Sequence, residues 1–187
     1  DPMSYGRDYN FLRPFFEQFR DLFYSVPQPA RAALRVIESD YCNQVSDLRR
    51  CYLLFNSELS EDCAYGNGIT DCKDVHDSYF MKQVERGYEG FVCLRSNNVF
   101  FSFNIHDSHD IYFSRDLVGC AFCFGCVGMR NKKYHIFNRP YSKKDYLDKL
   151  VEFKVGSFES VEKIKEKFRK FQLGFPVKYM HERHNVN

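Results

Sequence analysis

All eight cysteines of this 187-residue chain, Cys42, Cys51, Cys63, Cys72, Cys93, Cys120, Cys123 and Cys126, stand at multiples of three. Random placement would put all eight in this one phase roughly twice in ten thousand trials, so the period reports on the fold. From Ser39 to Met129 the same phase runs through 31 positions without a charge, an amide, a proline or an aromatic ring. Charge and rings fall in the two flanking phases. Neither a helix, with its period of 3.6, nor a flat strand, with its period of two, accounts for this.

The phase also alternates in size, which doubles the unit to a hexad. Val45, Ile69, Val75, Met81, Val99, Ile105, Ile111 and Leu117 are the larger members, and Ser60, Gly66, Ser78, Gly90, Ser96, Ser102, Ser108 and Ser114 stand between them. Asp, Asn or Gly often precedes a larger member, as at Asp62, Gly68, Asp74, Asn98, Asn104, Asp110 and Asp116. Those three residue types tolerate left-handed turns, and the β-branched residue that follows favours extended chain. The pattern predicts a mainly β protein built as a single-stack parallel β-solenoid with a narrow interior. Rings recurring at twelve residues, at Phe100, Tyr112 and Phe124, favour rungs of 12 or 24 residues. The stretch from Gln83 to Gly90 fits least well and is expected to carry a loop.

A solenoid has two open ends, and capping elements are expected there. Residues 1–33 read as an N-terminal helical cap, in which Pro14 opens a helix with a stripe of Phe15, Phe16, Phe19, Leu22 and Phe23. Residues 34–138 are the predicted solenoid. Residues 139–187 read as a C-terminal helical cap and a polar tail from Lys178. One helix starts at a capping box of Ser142 and Asp145, and a second after Ser157 carries Phe158, Val161, Ile164, Phe168 and Phe171 inward.

Chemistry is harder to find than architecture. Cys120, Cys123 and Cys126 have metal-ligand spacing and would suit zinc. The same spacing runs through the Ser, Val and Ile members of the ladder, so a buried structural role competes with zinc and is favoured by it. The shared use of Ser and Cys argues for selection by size and against disulfides. His106 and His109 with Asp116 form the best catalytic-looking cluster, yet Asp110 and Asp116 fall where turns belong. No GxSxG, Gly-rich phosphate loop or HExxH is present. Ser108→Leu is expected to overpack the interior, whereas Arg115 is expected to be exposed and tolerant.

The outer rings need a cover. Tyr52, Phe55, Phe100, Phe101, Phe103, Tyr112, Phe113, Phe122 and Phe124 cannot all lie inside such a ladder; the helices or a partner must cover them. Phe100, Phe101, Tyr112, Phe113 and Phe124 are taken as the interaction face. Net charge is +2, with 27 Lys+Arg against 25 Asp+Glu, which argues against nucleic-acid binding driven by overall charge. Residues 143–170 hold nine Lys/Arg and six Asp/Glu, either a solvated helix face or a phosphate-binding patch. No apolar run approaches a membrane span, and the mixed charge with reduced thiols reads as cytoplasmic.

Two segments carry a resemblance. Asp1-Pro2-Met3-Ser4-Tyr5-Gly6-Arg7-Asp8-Tyr9 leading into Arg13-Pro14-Phe15-Phe16-Glu17-Gln18-Phe19 is one, and the run from Cys123 to Tyr134 followed by Ile136-Phe137-Asn138 and Tyr141-Ser142-Lys143 is the other. Both resemble a family of uncharacterised Cys-rich proteins from candidate-phyla bacteria, often labelled as CoA-transferases. The similarity covers most of residues 1–155. It implies that this chain is the C-terminal part of a longer protein, with zinc-ribbon-like segments and zinc, and nucleic-acid contact, in the part ahead of it. No residue here supports CoA-transferase activity.

The sequence thus reads as a non-enzymatic solenoid scaffold or protein-interaction module, self-associating or meeting a protein through its outer rings. Two alternatives stay open: a nucleic-acid-associated module using the basic C-terminal helices, and an enzyme using the His/Asp face.

Overall fold

The computed structural model describes residues 2–28 and 30–177. The chain divides into two compact units, residues 1–32 and 33–187. The second is a parallel β-solenoid of about nine turns with two helices at its C-terminal end.

Its register is constant. Ala33 pairs with Val45, Val45 with Ser57, Ile69 with Met81, and Ile111 with Cys123, always twelve residues on. The rung is therefore 12 residues, and a three-residue inward period gives four inward columns per rung. All 31 positions of the ladder are buried. Val99, Ile111 and Cys123 stack in one column and Ile105, Leu117 and Met129 in the facing one. Ser96, Ser108 and Cys120 form a third column, and Ser102, Ser114 and Cys126 a fourth. The alternation of size is thus two opposite columns of larger residues and two of smaller ones in these rungs.

The backbone explains the three-residue period. From Arg35 to Phe137, every third residue has a positive φ, between 45° and 72°, without one exception. Each such residue turns the chain through a corner, so each side of the coil is three residues long. Only some of the corners are Asp, Asn or Gly. Phe80, Phe101, Phe113, Leu53, Leu59 and Val92 occupy the same left-handed region, which costs an L-residue on the order of 1–2 kcal/mol. Stacking offsets the cost, because each corner's N–H is directed at the rung below. Phe101 N–H donates to Tyr88 C=O (2.8 Å) and Phe113 N–H to Phe100 C=O (3.0 Å).

Inward residues place their own N–H groups inside the coil, where water cannot reach them. Serine solves this. Ser108 Oγ accepts from Cys120 N–H at 3.0 Å and donates to His106 C=O at 2.6 Å. Ser39, Ser57, Ser78, Ser96, Ser102 and Ser114 also accept from the N–H twelve residues on. Size alone, the expected reason for serine, is therefore only part of it. Cysteine occupies the same places and directs its thiol at the same carbonyl, as Cys63 does toward Glu61 C=O (3.1 Å).

The loop expected at Gln83–Gly90 is absent. Glu85–Tyr88 is a strand in register with its neighbours, and Val84, Gly87 and Gly90 stay in phase. The pattern looks weak there because two glycines leave the interior empty, and Met81 fills it. A Cβ at Gly87 or Gly90 would lie 2.8 or 2.9 Å from the Met81 methyl.

At the C-terminal end, Lys133–Ile136 adds a last parallel strand and Arg139–Pro140 returns antiparallel. Helices α2 (Lys143–Glu152) and α3 (Phe158–Gln172) follow where the sequence places them. Ser142 caps α2, accepting from Asp145 N–H and donating to its carboxylate. These helices build a second core, in which Tyr146 and Ile164 are buried with Phe113, Phe124 and Ile136. In the N-terminal unit, α1 (Phe15–Ser25) starts directly after Pro14, and none of its residues is buried. The tail from Lys178 lies outside the described residues.

Candidate functional site

The catalytic-looking trio is divided by the corners. His106 Nε2 lies 2.8 Å from Asn104 Oδ1, and Asn104 Nδ2 donates to Asp116 Oδ1 at 2.6 Å. His109 lies one side further round, with Nδ1 2.8 Å from Asp110 Oδ2, a carboxylate that also accepts from Asn98 at 3.0 Å. Asn98–Asp110 and Asn104–Asp116 join corners twelve residues apart. Arg35–Asp47, Arg50–Asp62 and Arg95–Asp107 do the same with charge, at 2.6, 2.6 and 2.9 Å. The Asp residues follow the rung repeat, and the structure uses them to tie stacked corners together. Arg115 is not exposed as expected. Its side chain is 16% exposed and lies 3.0 Å from Asp116, in a position whose strand neighbours are Phe103 below and Val127 above.

Cys120, Cys123, Cys126 and Met129 together form the whole interior of one rung. All four are buried, and the eight cysteines are free thiols. Hydrogen bonding to Cys120 and Cys126, reinforced by burial, holds the Cys123 thiol far above its ordinary value. Burial pushes the Cys93 thiol up to about 12. Among the described residues, no group of three or more His, Cys, Asp or Glu is arranged to hold a metal ion. Attack on a disulfide reagent needs access as well as thiolate, and burial denies access even to Cys51 and Cys120, whose thiols are held low by hydrogen bonding to Cys63 and Cys123. The native protein is expected to leave all eight thiols unlabelled by an aromatic disulfide at neutral pH and to expose all eight in guanidinium. Rapid labelling of the folded protein would show that the coil opens.

Rings stack in several ladders along the coil, and α2 and α3 cover those at its C-terminal end, while the Tyr41, Tyr52 and Tyr65 stack stays exposed. Phe100, Tyr112 and Phe124 stack in one column and Phe101 and Phe113 in the next, with centroids 4.6–6.5 Å apart. Phe113 and Phe124 are fully buried beneath α2 and α3, and Phe153 stacks on Phe124 at 4.4 Å. Lys165 reaches over the Phe101 ring at 4.8 Å and pairs with Glu89 at 2.8 Å. The interaction face expected from these rings is thus largely occupied by the chain's own helices.

The bare ladder with parallel rings stands on another side. Tyr79, Phe91 and Phe103 stack with centroids 5.0 and 5.1 Å apart and planes within 17°. They remain 47%, 44% and 44% exposed, and Phe55 and Phe80 are exposed beside them. Tyr79 and Phe91 do not stand out in the sequence. Their signal is the 12-residue interval to Phe103, which acquires meaning only when the rung length is fixed.

No protein-family model matches the chain, and no curated protein matches it in sequence. Described helices include none long and apolar enough to cross a membrane.

Proposed function

We propose that this protein is a non-enzymatic β-solenoid scaffold that associates with a second copy of itself through the ladder of Tyr79, Phe91 and Phe103. The uncovered stack carries the reading. Contiguous apolar surface of this kind is uncommon on a protein that works alone. The occupant is argued from the chain's own chemistry. The neighbouring ladder is covered by amphipathic helices bearing Phe, Leu and Lys. Helix α1 is also amphipathic, and its Phe15, Phe16, Phe19 and Phe23 are all exposed. An aromatic helix stripe from one copy is the complement of an aromatic strand ladder on the other. The hydrogen-bonded corners around His106, His109 and Asp116 support a structural role for those residues over a catalytic one.

Light scattering coupled to size exclusion at several concentrations tests this. The wild type is expected to exceed the 22.3 kDa monomer mass as concentration rises. Phe91→Ser on the ladder and Phe19→Ser on α1 should each shift it toward monomer. A wild-type monomer at all concentrations overturns the proposal, and loss of association in the ladder variant alone overturns α1 as the occupant.

A further inference from the structure

Charge is segregated along this chain. Between Arg130 and Lys170 there are thirteen Lys/Arg against six Asp/Glu, a net +7 in a protein whose total is +2. The solenoid below is acidic on balance, and there most arginines of the described rungs are tied to a carboxylate: Arg35, Arg49, Arg50, Arg86, Arg95 and Arg115 each have one within 4.0 Å.

A hollow of about 550 Å³ opens in this basic end, walled by Ile136, Phe137, Tyr141, Phe153 and Phe171. Three elements each supply it with one cation: Arg139 from the returning strand, Lys149 from α2 and Lys167 from α3. Among the described residues, none of the three has a carboxylate within ion-pair distance, although Glu152 lines the same hollow. Two of the cations rest on rings instead. Lys167 Nζ lies 4.6 Å from the Phe137 centroid and 5.7 Å from that of Phe153, and Lys149 Nζ lies 5.9 Å from Tyr141.

We infer that this hollow binds a nucleotide, with the phosphates on Arg139, Lys149 and Lys167 and the base against the rings. The volume falls within the range of small-ligand sites, which combine apolar walls with a few convergent polar groups. Three converging cations select phosphate, and Arg139 adds a planar fork of donors suited to it. The rings distinguish a nucleotide from a bare phosphate, because a base has a π-face to stack and an inorganic anion has none. A phosphate drawing Lys149 and Lys167 forward bares the faces of Tyr141 and Phe137 that the ammonium groups now cover. Glu152 is the one carboxylate lining the hollow, placed to take a ribose hydroxyl or an exocyclic amine and to weaken binding of anions that offer no donor. The inference is independent of self-association, since none of the hollow's lining residues belongs to the Tyr79, Phe91 and Phe103 ladder or to α1.

The same chemistry is presented by a free nucleotide and by a single-stranded oligonucleotide, and calorimetric titration separates them. The full chain is titrated with ATP, with pyrophosphate and with an oligouridylate. ATP is expected to bind about tenfold or more tighter than pyrophosphate, and Lys149→Glu and Lys167→Glu should each weaken ATP by about tenfold. Lys82→Glu, an exposed charge reversal on the solenoid, should leave ATP binding unchanged. Oligouridylate binding that exceeds ATP and falls steeply with salt assigns the nucleotide to a nucleic-acid strand. Equal affinity for ATP and pyrophosphate, or equal losses in Lys82→Glu and Lys149→Glu, overturns the inference, as does failure of both nucleotide ligands to bind.

Discussion

Ser108→Leu is expected to destabilise the protein by roughly 2–6 kcal/mol. Two terms add. Leucine overfills a column of small residues, where Ser96 and Cys120 stand directly below and above. It also removes the only hydroxyl within the coil that accepts from Cys120 N–H and donates to His106 C=O. Ser108→Ala isolates the second term and should cost about 1–3 kcal/mol, because it leaves a buried N–H without its acceptor. Ser108→Cys should cost less than Leu, since the columns already exchange the two residues. A change at exposed Lys73 provides the baseline of at most about 0.5 kcal/mol. Urea midpoints for the four variants check this, and equal tolerance of Leu at positions 73 and 108 would refute the four-column interior.

The second large effect is at the cap. Gly125 and Gly128 share a φ of +66°, so alanine at either position meets the same left-handed strain of about 1–2 kcal/mol. Their surroundings differ. A Cβ at Gly128 meets nothing within 4 Å, whereas one at Gly125 lies 2.7–2.9 Å from three atoms of the Phe137 ring. That ring is held on its other sides by Phe124, Phe153 and Phe171, and it cannot yield as the end of a flexible side chain would. Gly125→Ala is therefore expected to cost roughly 2–5 kcal/mol, and Gly128→Ala only the backbone share. Thermal unfolding of the two variants reports the difference. Similar losses at both sites would mean that Phe137 does not seal the last rung.

The phase of the cysteines was enough to identify the solenoid, because a three-residue period with no charge in it has few structural solutions. Serine's second role was not legible. Sequence shows that a site is small, but only the stacked rungs show an inward N–H twelve residues away that needs an acceptor. Half of the corners were also hidden. Asp74, Asn98 and Asp110 look like turns, while Phe101, Phe113 and Val92 do not, and they adopt the left-handed region because their neighbours in the stack fix both ends of each three-residue side. The Gln83–Gly90 stretch resembles a loop for a related reason: the side chain that fills the space beside Gly87 and Gly90 is Met81, which precedes the stretch.

The candidate sites depended still more on tertiary structure. Periodicity placed the rings outside, but it could not say which ladder the helices would cover. That choice follows from where α2 and α3 pack after the Arg139–Pro140 reversal, which directs them over Phe113 and Phe124 and leaves Tyr79, Phe91 and Phe103 bare. Arg139, Lys149 and Lys167 are spread over 29 positions and converge only through that same reversal. By itself, the sequence determined the coil, because the one-dimensional period of a solenoid is repeated in every rung and is local in origin. The tertiary structure alone decided what is buried on the coil's outside and what remains open to a partner, because helix packing joins residues that no repeat relates.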